Sequence, residues 1–470
     1  MRLIIIILII FSLAACAMGP DYKRPVINTP QAWRMEDKEA ADLANTAWWE
    51  QFSDPVLNDL IAVSLKENND LKIAAARVEE YVGRYWVGRS PLFPQFYATG
   101  DAGSQRLTER GQTPLPSSIN NPSGFYQGGF NGSWEIDVWG RLRRLNEAAR
   151  ADLLSTEEGR RSVILTLVTS VANGYVNLRD FDKQLQVSER TAKSREESYR
   201  LFKLRFEGGV ISEMELSQVK SEYELALSRI PFIQKLIAFQ ENALSVLLGK
   251  NPGPIPRGRT IDELTLPIVP AGLPSDLLER RPDVRQAEQN LIAANARIGA
   301  AKALYFPTIS LTGAFGWSST DLSKLFSGPS QAWSWAGTFI SPIFTGGAVT
   351  GNYKAAQAVQ QQTLFQYQKV IQTAFREVDD ALADQKRTRE QLAAQKQQVD
   401  TLRDYARIAR LRYDEGYTSY IEVLDAERSL FNAELSYTET QGVLFQALVN
   451  LYKAMGGGWV TEADKMTEIR

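Results

Sequence analysis

The strongest constraint on this chain is an internal duplication. Phe93-Pro94 and Gly100 recur as Phe306-Pro307 and Gly313. Arg205-Phe206, Gly209, Ser212 and Glu215 recur as Arg412-Tyr413, Gly416, Ser419 and Glu422, and Leu248-Gly249 recurs as Met455-Gly456. Three anchors in the same order, at a nearly constant offset of roughly 210 residues, make each half one long supersecondary unit. The joint from Asn251 to Pro282 carries Pro252, Pro254, Pro256, Pro267, Pro270, Pro274 and Pro282, so it reads as an irregular connector. The 470 residues, which by length alone suggest two or three domains, therefore organise as one duplicated body.

Inside each half the hydrophobic period switches between helix and strand. After Gly140 the chain runs to Glu207 without a proline, and after Gly346 it runs to Glu415 likewise. Each such stretch, if continuous, is roughly 100 Å long. Ile164, Leu167, Val171, Gly174, Leu178, Phe181 and Leu185 in one half, and Leu392, Gln395, Val399, Leu402, Ala406, Ala409 and Tyr413 in the other, alternate steps of three and four. That is the register of helices packed side by side as coiled coils. Gly208-Gly209 and Gly416 break these helices, and a return helix of roughly forty residues follows each. Shorter helices, Asp54 to Ser90 and Pro282 to Tyr305, are expected to lead into the strands.

The strand signal has period two. From Tyr126 to Val138 the even positions are apolar or Gly (Tyr126, Phe130, Trp134, Ile136), and the odd ones are mainly polar (Gln127, Asn131, Ser133, Glu135). Ile309, Leu311, Phe315 and Trp317 alternate in the same way, as do Trp333, Trp335 and Phe339; Phe96, Ala98, Gly100 and Ala102 give a weaker fourth strand. Each half thus holds one β-hairpin, with the longer loop, Gln105 to Pro122, in the first. A soluble sheet resting on a core is one reading. Against it, no charged residue lies between Arg110 and Glu135, and only Asp321 and Lys324 lie between Pro307 and Tyr353. Trp134, Trp139, Trp317, Trp333 and Trp335, half of the ten Trp, fall in or beside the strands, as interface girdles of membrane barrels require. Four strands cannot enclose a lumen, because membrane barrels begin at about eight. A barrel would need several chains.

Composition narrows the chemistry. There is no His and one Cys, and 53 Lys+Arg stand against 55 Asp+Glu. His triads, His-ligated zinc and disulfide frameworks are excluded, and no basic field draws nucleic acid. Carboxylate pairs such as Glu135 and Asp137 leave an envelope hydrolase as a formal option, without a cleft motif to support it. No cofactor or metal is expected.

The start of the chain resembles a lipoprotein signal peptide. Arg2 is followed by the apolar run Leu3 to Leu13, too short to span a bilayer, then by Leu13-Ala14-Ala15-Cys16. The resemblance implies cleavage before Cys16 and a lipid on its sulfur, and Ala17 at the next position favours the outer membrane. The alternative is an ordinary signal peptide with a chance Cys.

The mature chain resembles lipid-anchored outer-membrane efflux proteins of the TolC and OprM type along essentially its whole length. The residues that carry this are Gly19-Pro20-Asp21-Tyr22 with Arg24-Pro25, Trp48-Trp49 with Phe52 and Asp54-Pro55, and Leu277 through Arg280-Arg281-Pro282-Asp283-Val284. Ala294-Asn295-Ala296 with Ile298-Gly299, Ser310-Leu311-Thr312-Gly313 and Phe344-Thr345-Gly346-Gly347 complete the set. The fold this implies is α+β: an outer-membrane β-barrel continuous with a long α-helical coiled-coil barrel in the periplasm. The implied assembly is a homotrimer in which twelve strands, four per chain, close one barrel. The implied function is the exit duct of a tripartite pump, with a periplasmic adaptor (membrane fusion) protein, an inner-membrane RND transporter and outer-membrane lipids as partners, passing drugs or other small molecules without catalysis. A duct for type I protein secretion shares this architecture; a non-conducting lipoprotein scaffold is the alternative of another class.

The resemblance also assigns segments and sites. The signal peptide spans 1–15 and an anchored extended segment 16–53; the first repeat covers 54–250, with a β-hairpin near 94–139 and a helical hairpin near 140–249. An equatorial connector over 251–281 precedes the second repeat, 282–458, with hairpins near 307–344 and 346–455, and a tail over 459–470. Gly209, Val210, Ile211 and Ser212, with Gly416, Tyr417, Thr418 and Ser419, correspond to the turns that meet the adaptor. Glu422 and Asp425 correspond to acidic rings at the periplasmic gate, and Glu215 to an acid that helps hold it closed. Read from the sequence alone, these acids also fit a solvated helix start. Thr418 stands where the archetype has a basic residue, which leaves Tyr413 and Tyr417 as a steric means of closure.

Overall fold

A computed structural model of the chain describes residues 17–27, 33, 47–108, 110, 120–266, 278–456, 460, 463 and 465. The signal peptide, Cys16, Pro267, Pro270 and Pro274 of the connector, and most of the tail lie outside the described residues. The elements run α1 (Pro55–Glu67), α2 (Asn69–Arg89), β1 (Gln95–Gln105), β2 (Ser123–Ile136), α3 (Arg141–Glu207), α4 (Glu213–Leu247), α5 (Pro282–Ala303), β3 (Thr308–Ser319), β4 (Gln331–Ile340), α6 (Ala348–Asp414) and α7 (Tyr420–Ala454). The duplication is kept in length. Helices α3 and α6 have 67 residues each, and α4 and α7 have 35 each. None of the described helices is long and apolar enough to cross a membrane.

The helix expected from Asp54 to Ser90 is in fact two, because Asn68 leaves the helical region at φ −62°, ψ 129°. Its side-chain oxygen accepts the Leu71 N–H at 3.0 Å and its amide donates to the Leu247 carbonyl at 3.0 Å. One residue thus ends α1, caps α2 and bonds the last turn of α4. Hydrophobic periodicity carries no trace of such a break.

Two compact units are described separately. The first comprises 1–26, 78–156 and 287–367, and the second 27–77, 157–286 and 368–470.

In the first unit the four strands form one antiparallel sheet in the order β1-β2-β3-β4. The register sets Ala98, Phe130, Phe315 and Trp333 in one row and Gly132, Gly313 and Trp335 in the next. All of these lie on one face. Asn131 lies on the other, where its amide donates to Thr99 Oγ1 at 2.9 Å. An apolar face therefore backs a polar one, as the alternation requires. Strands β1 and β4 are edges within the chain, with one side of each backbone unpaired.

Glu135 and Asp137 serve the junction after β2. Asp137 accepts the Leu142 and Arg143 N–H groups at the start of α3, at 3.0 and 2.9 Å, and Glu135 pairs with Arg141 at 2.7 Å. A helix cap and its neighbouring ion pair account for both acids.

The segment after Cys16 lies extended against the same unit. Met18 N–H donates to the Trp139 carbonyl at 3.0 Å, and Asn295 donates to the Pro20 carbonyl at 2.9 Å. Arg144 reaches Asp21 at 2.6 Å, and Arg24 reaches Glu288 at 2.7 Å. Gly19, at φ +97°, meets Gly299 so closely that a Cβ on Gly19 would fall 2.4 Å from the Gly299 Cα. Gly-Pro-Asp-Tyr and Ile-Gly are thus two halves of one contact.

In the second unit Trp48 stacks on Tyr452 at 4.9 Å and Phe52 packs on Phe445 at 5.7 Å. Buried Asp54 caps α1 through Val56 N–H and accepts Tyr175 Oη at 2.7 Å and Arg259 N–H at 3.0 Å, tying the connector to α3. Burial beside this carboxylate raises the Tyr175 phenol.

The Arg-Arg-Pro-Asp stretch is a staple. Pro282 opens α5, and Arg281 pairs with Asp283 and with Glu377 of α6 at 2.7 Å each and donates to the Ala454 carbonyl at 2.8 Å. A cation thus closes the C-terminus of α7, where the helix dipole favours one. Gly456 leaves it room, since a Cβ there would lie 2.2 Å from Arg281 Cγ.

The α6 seam holds. Val399 and Ala409 are buried, and Leu392, Gln395, Leu402, Ala406 and Tyr413 are half-buried, among mostly exposed neighbours. In α3 the seam widens, because Val168, Ala172, Tyr175 and Val176 are buried beside Ile164, Leu167, Val171 and Leu178. A helix covered on more than one side no longer shows a single stripe.

Candidate functional site at the paired helix turns

Both Gly turns end their helices in the same way. Gly209 takes φ +70° and donates to the Phe206 carbonyl, while Val210 N–H donates to that of Arg205, each at 2.9 Å. Gly416 takes φ +79° and donates to Tyr413 at 3.0 Å, while Tyr417 N–H donates to Arg412 at 2.8 Å. These are Schellman closures. No heavy atom lies within 4 Å of a Cβ at either position, so backbone conformation and not crowding demands glycine.

The helices that follow begin differently. Ser212 caps α4 with a complete capping box: its N–H and hydroxyl donate to Glu215 Oε2 at 2.8 and 3.0 Å, and Glu215 N–H donates back at 3.3 Å. Those bonds hold the Glu215 carboxyl below its ordinary range. Ser419 has the same backbone angles but makes no side-chain cap, and Glu422 N–H bonds the Ser419 carbonyl instead, at 3.2 Å. The sequence repeat is thus broken at the hydrogen-bond level.

The turns converge on one apolar cluster. Phe202, Val219, Ala409, Tyr420, Val423 and Ala426 are buried in it, with Ile211 and Tyr413 packed against them. Tyr413 lies within this packing, 4.9 Å from the Tyr420 ring, and its hydroxyl accepts from Arg205 at 2.5 Å. Arg205 also stands 5.8 Å over both the Phe202 and Tyr413 rings. Two anchors of the sequence repeat, Arg205 and Tyr413, therefore touch each other. At the turns themselves Val210 and Tyr417 are three-quarters or so exposed, at 74% and 77%, while Thr418 and Ile211 are half-buried.

The acids occupy the next turns. Glu422 and Asp425 line an open groove of about 700 Å³ with Met214, Ser217, Ile421 and Arg428. Asp425 pairs with Arg428 at 2.8 Å. This cation, three residues along the helix, goes with the acidic pair and is absent from the sequence-based assignment.

Deeper in the same unit lies a charge centre that periodicity did not flag. The Arg195 side chain is 4% exposed, meets Glu222 at 3.1 Å, donates to its backbone carbonyl at 2.7 Å and stands over Phe431 at 5.2 Å. Burial lowers the Arg195 guanidinium and raises the Glu427 carboxyl. Glu434 takes Arg190 of α3 on one side and Arg403 of α6 on the other. The sequence held a weak sign of this, since apolar seams interrupted by Arg and Glu on facing helices invite such pairing. Among the described residues no cluster of three or more Cys, Asp or Glu is arranged to hold a metal ion.

The geometry resolves into a two-faced sheet with open edges and two glycine-closed helical hairpins with acidic tips. The model of the outer membrane efflux protein family matches residues 60–250 and 273–457, one segment per repeat. The chain belongs to that family. It is 37% identical over 469 residues to a toluene efflux pump outer membrane protein, TtgC, of Pseudomonas putida, covering 97% of this chain and 96% of that one. It is 35% identical over 454 residues to the cation efflux system protein CusC of Escherichia coli, covering 95% and 97%. The open state of the Neisseria gonorrhoeae MtrE outer membrane channel superposes with a TM-score of 0.86 at 31% identity, over 94% of this chain and 99% of that one. The chain has the fold of such outer-membrane channels, mostly helical with one four-stranded antiparallel sheet, and the protein is an outer-membrane channel component of an efflux pump. Its family is one of channels, not of enzymes.

Proposed function

We propose that the chain works as a homotrimer, forming the exit duct of an RND-type tripartite pump. Three four-stranded sectors close one barrel, and the paired hairpins build a periplasmic tunnel through which drugs or other small molecules pass passively. The observation that carries this is the sheet: apolar on one face, polar on the other, and unpaired along β1 and β4. Copies pairing β4 to β1 remove every edge and leave the polar face inward.

The turns Gly209, Val210, Ile211, Ser212 and Gly416, Tyr417, Thr418, Ser419 are the adaptor surface, and the exposed Val210 and Tyr417 side chains support that reading. Glu422 and Asp425 ring the gate, with Tyr417 beside them, while Glu215 and Tyr413 fix the hairpin tips by capping and packing. Cys16 carries the lipid. Ala17 next to it packs against Gly140, between β2 and α3, which would seat the acyl chains at the periplasmic rim of the barrel.

Purified protein in planar bilayers tests the proposal. Discrete conductance from a species with the mass of three chains is expected. A trimer that conducts nothing would make it a scaffold, and a conducting protein that crosslinks to no adaptor through Val210 or Tyr417 would remove the docking assignment.

A further inference from the structure

The β3–β4 loop presents large apolar side chains next to the apolar face of the sheet. Leu322 is 62% exposed and Phe326 75% exposed, while Leu325 between them is buried. The rest of the loop is polar and closes on itself: the Lys324 carbonyl accepts the Ser327 N–H at 3.1 Å and the Ser327 and Ser330 hydroxyls at 2.7 and 2.8 Å. Asp321 N–H donates to Ser319 Oγ, and Lys324 pairs with Asp321 at 3.4 Å. The apolar pair is therefore presented by a pre-formed scaffold, which lowers the ordering cost of any contact it makes.

The position of Phe326 indicates what it meets. Its ring stands edge-on to Trp317 at 5.5 Å, and Trp317 stands edge-on to Phe315 at 5.4 Å. Phe315 and Trp317 belong to the apolar face of the sheet. The loop thus prolongs that face beyond the end of β3, at the end of the sheet away from the helices, and places an exposed Lys beside it. Aromatic and aliphatic side chains with a neighbouring Lys suit the boundary between acyl chains and headgroups.

We propose that the β3–β4 loop is a lipid-binding foot, with Leu322 and Phe326 seated at the acyl boundary of the outer leaflet and Lys324 at headgroup level. This rests on the reading of the sheet as a sector of a membrane barrel.

The test is collision accessibility of spin labels on the full chain in vesicles of phosphatidylethanolamine and phosphatidylglycerol. Labels are placed by Phe326→Cys and, separately, Leu322→Cys in a Cys16→Ser background, with Trp333→Cys and Ser334→Cys marking the apolar and polar faces of β4. The loop labels are expected to follow the Trp333 site, meeting dissolved oxygen severalfold more often than a water-soluble nickel chelate, with the Ser334 site reversed. Loop labels that favour nickel while the Trp333 site favours oxygen would overturn the lipid contact and leave the barrel standing. Loop labels shielded from both reagents would overturn it in favour of a neighbouring copy of the chain. A Trp333 site that favours nickel would remove the barrel and the foot together.

Discussion

At the scale of single residues, charges held in confined places have the clearest consequences. Arg281 answers two carboxylates and a helix-terminal carbonyl. Arg281→Ala should cost about 3 kcal/mol, the low end for breaking a buried pair because Asp283 and Glu377 stay partly solvated. A drop in the apparent melting temperature checks this. Asp180 is a different case. It is buried on α3 against Gly442, with Gln184 as its hydrogen-bond donor at 3.0 Å and Glu439 adding like charge, and burial pushes it up to about 7. The native chain keeps this proton to about pH 7, whereas the unfolded chain releases it near about 3.9. Between these values the native state binds more protons, so stability falls as pH rises through the window. Melting temperatures should therefore decline from about pH 4 to about pH 7, and Asp180→Asn should flatten that decline. At the tip, Glu422→Ala with Asp425→Ala should weaken cation selectivity in bilayers. Arg428→Ala, by releasing Asp425 from its pair, should strengthen it. Selectivity unmoved by all three substitutions would take the acids out of the conduction path.

At the scale of elements, the two repeats share lengths and turns but not caps. Ser212→Ala removes a complete capping box and should cost about 1 kcal/mol, whereas Ser419→Ala should cost little because its hydroxyl caps nothing. Amide exchange at the first turns of α4 and α7 would separate the two. Much of this level was legible. Gly208-Gly209 and Gly416 announced helix ends because only glycine enters the left-handed region cheaply, and Trp333 to Phe339 announced a two-faced strand because side chains alternate. The Asn68 break leaves no mark in the hydrophobic period; Asn as a local cap for Leu71 was its one sequence sign, while its bond to the Leu247 carbonyl of α4, far along the chain, was not legible. Nor was the contact of Arg205 with Tyr413, which exists only once α3 and α6 lie side by side.

At the scale of the whole molecule, the need for partner chains could be read from four strands too few to close, while the number three came from family resemblance alone. The charge centre around Arg195 escaped because polar pairing across elements leaves no period in the sequence, whereas the Asp425–Arg428 pair, three residues apart on α7, was open to reading from helical spacing alone. If Cys16 is an anchor and the barrel a second one, Cys16→Ser should abolish acylation by mass while most of the protein still fractionates with the outer membrane. A soluble periplasmic product would leave the lipid as the sole anchor. The strand register, finally, carries a consequence for how the chain comes together in time. β1–β2 and β3–β4 are local hairpins, but β2–β3 joins Ile136 to Ile309 across the whole first helical hairpin and the connector. Loop-closure entropy must be met before that central pairing gains anything. The two hairpins should therefore form early and the seam between them late.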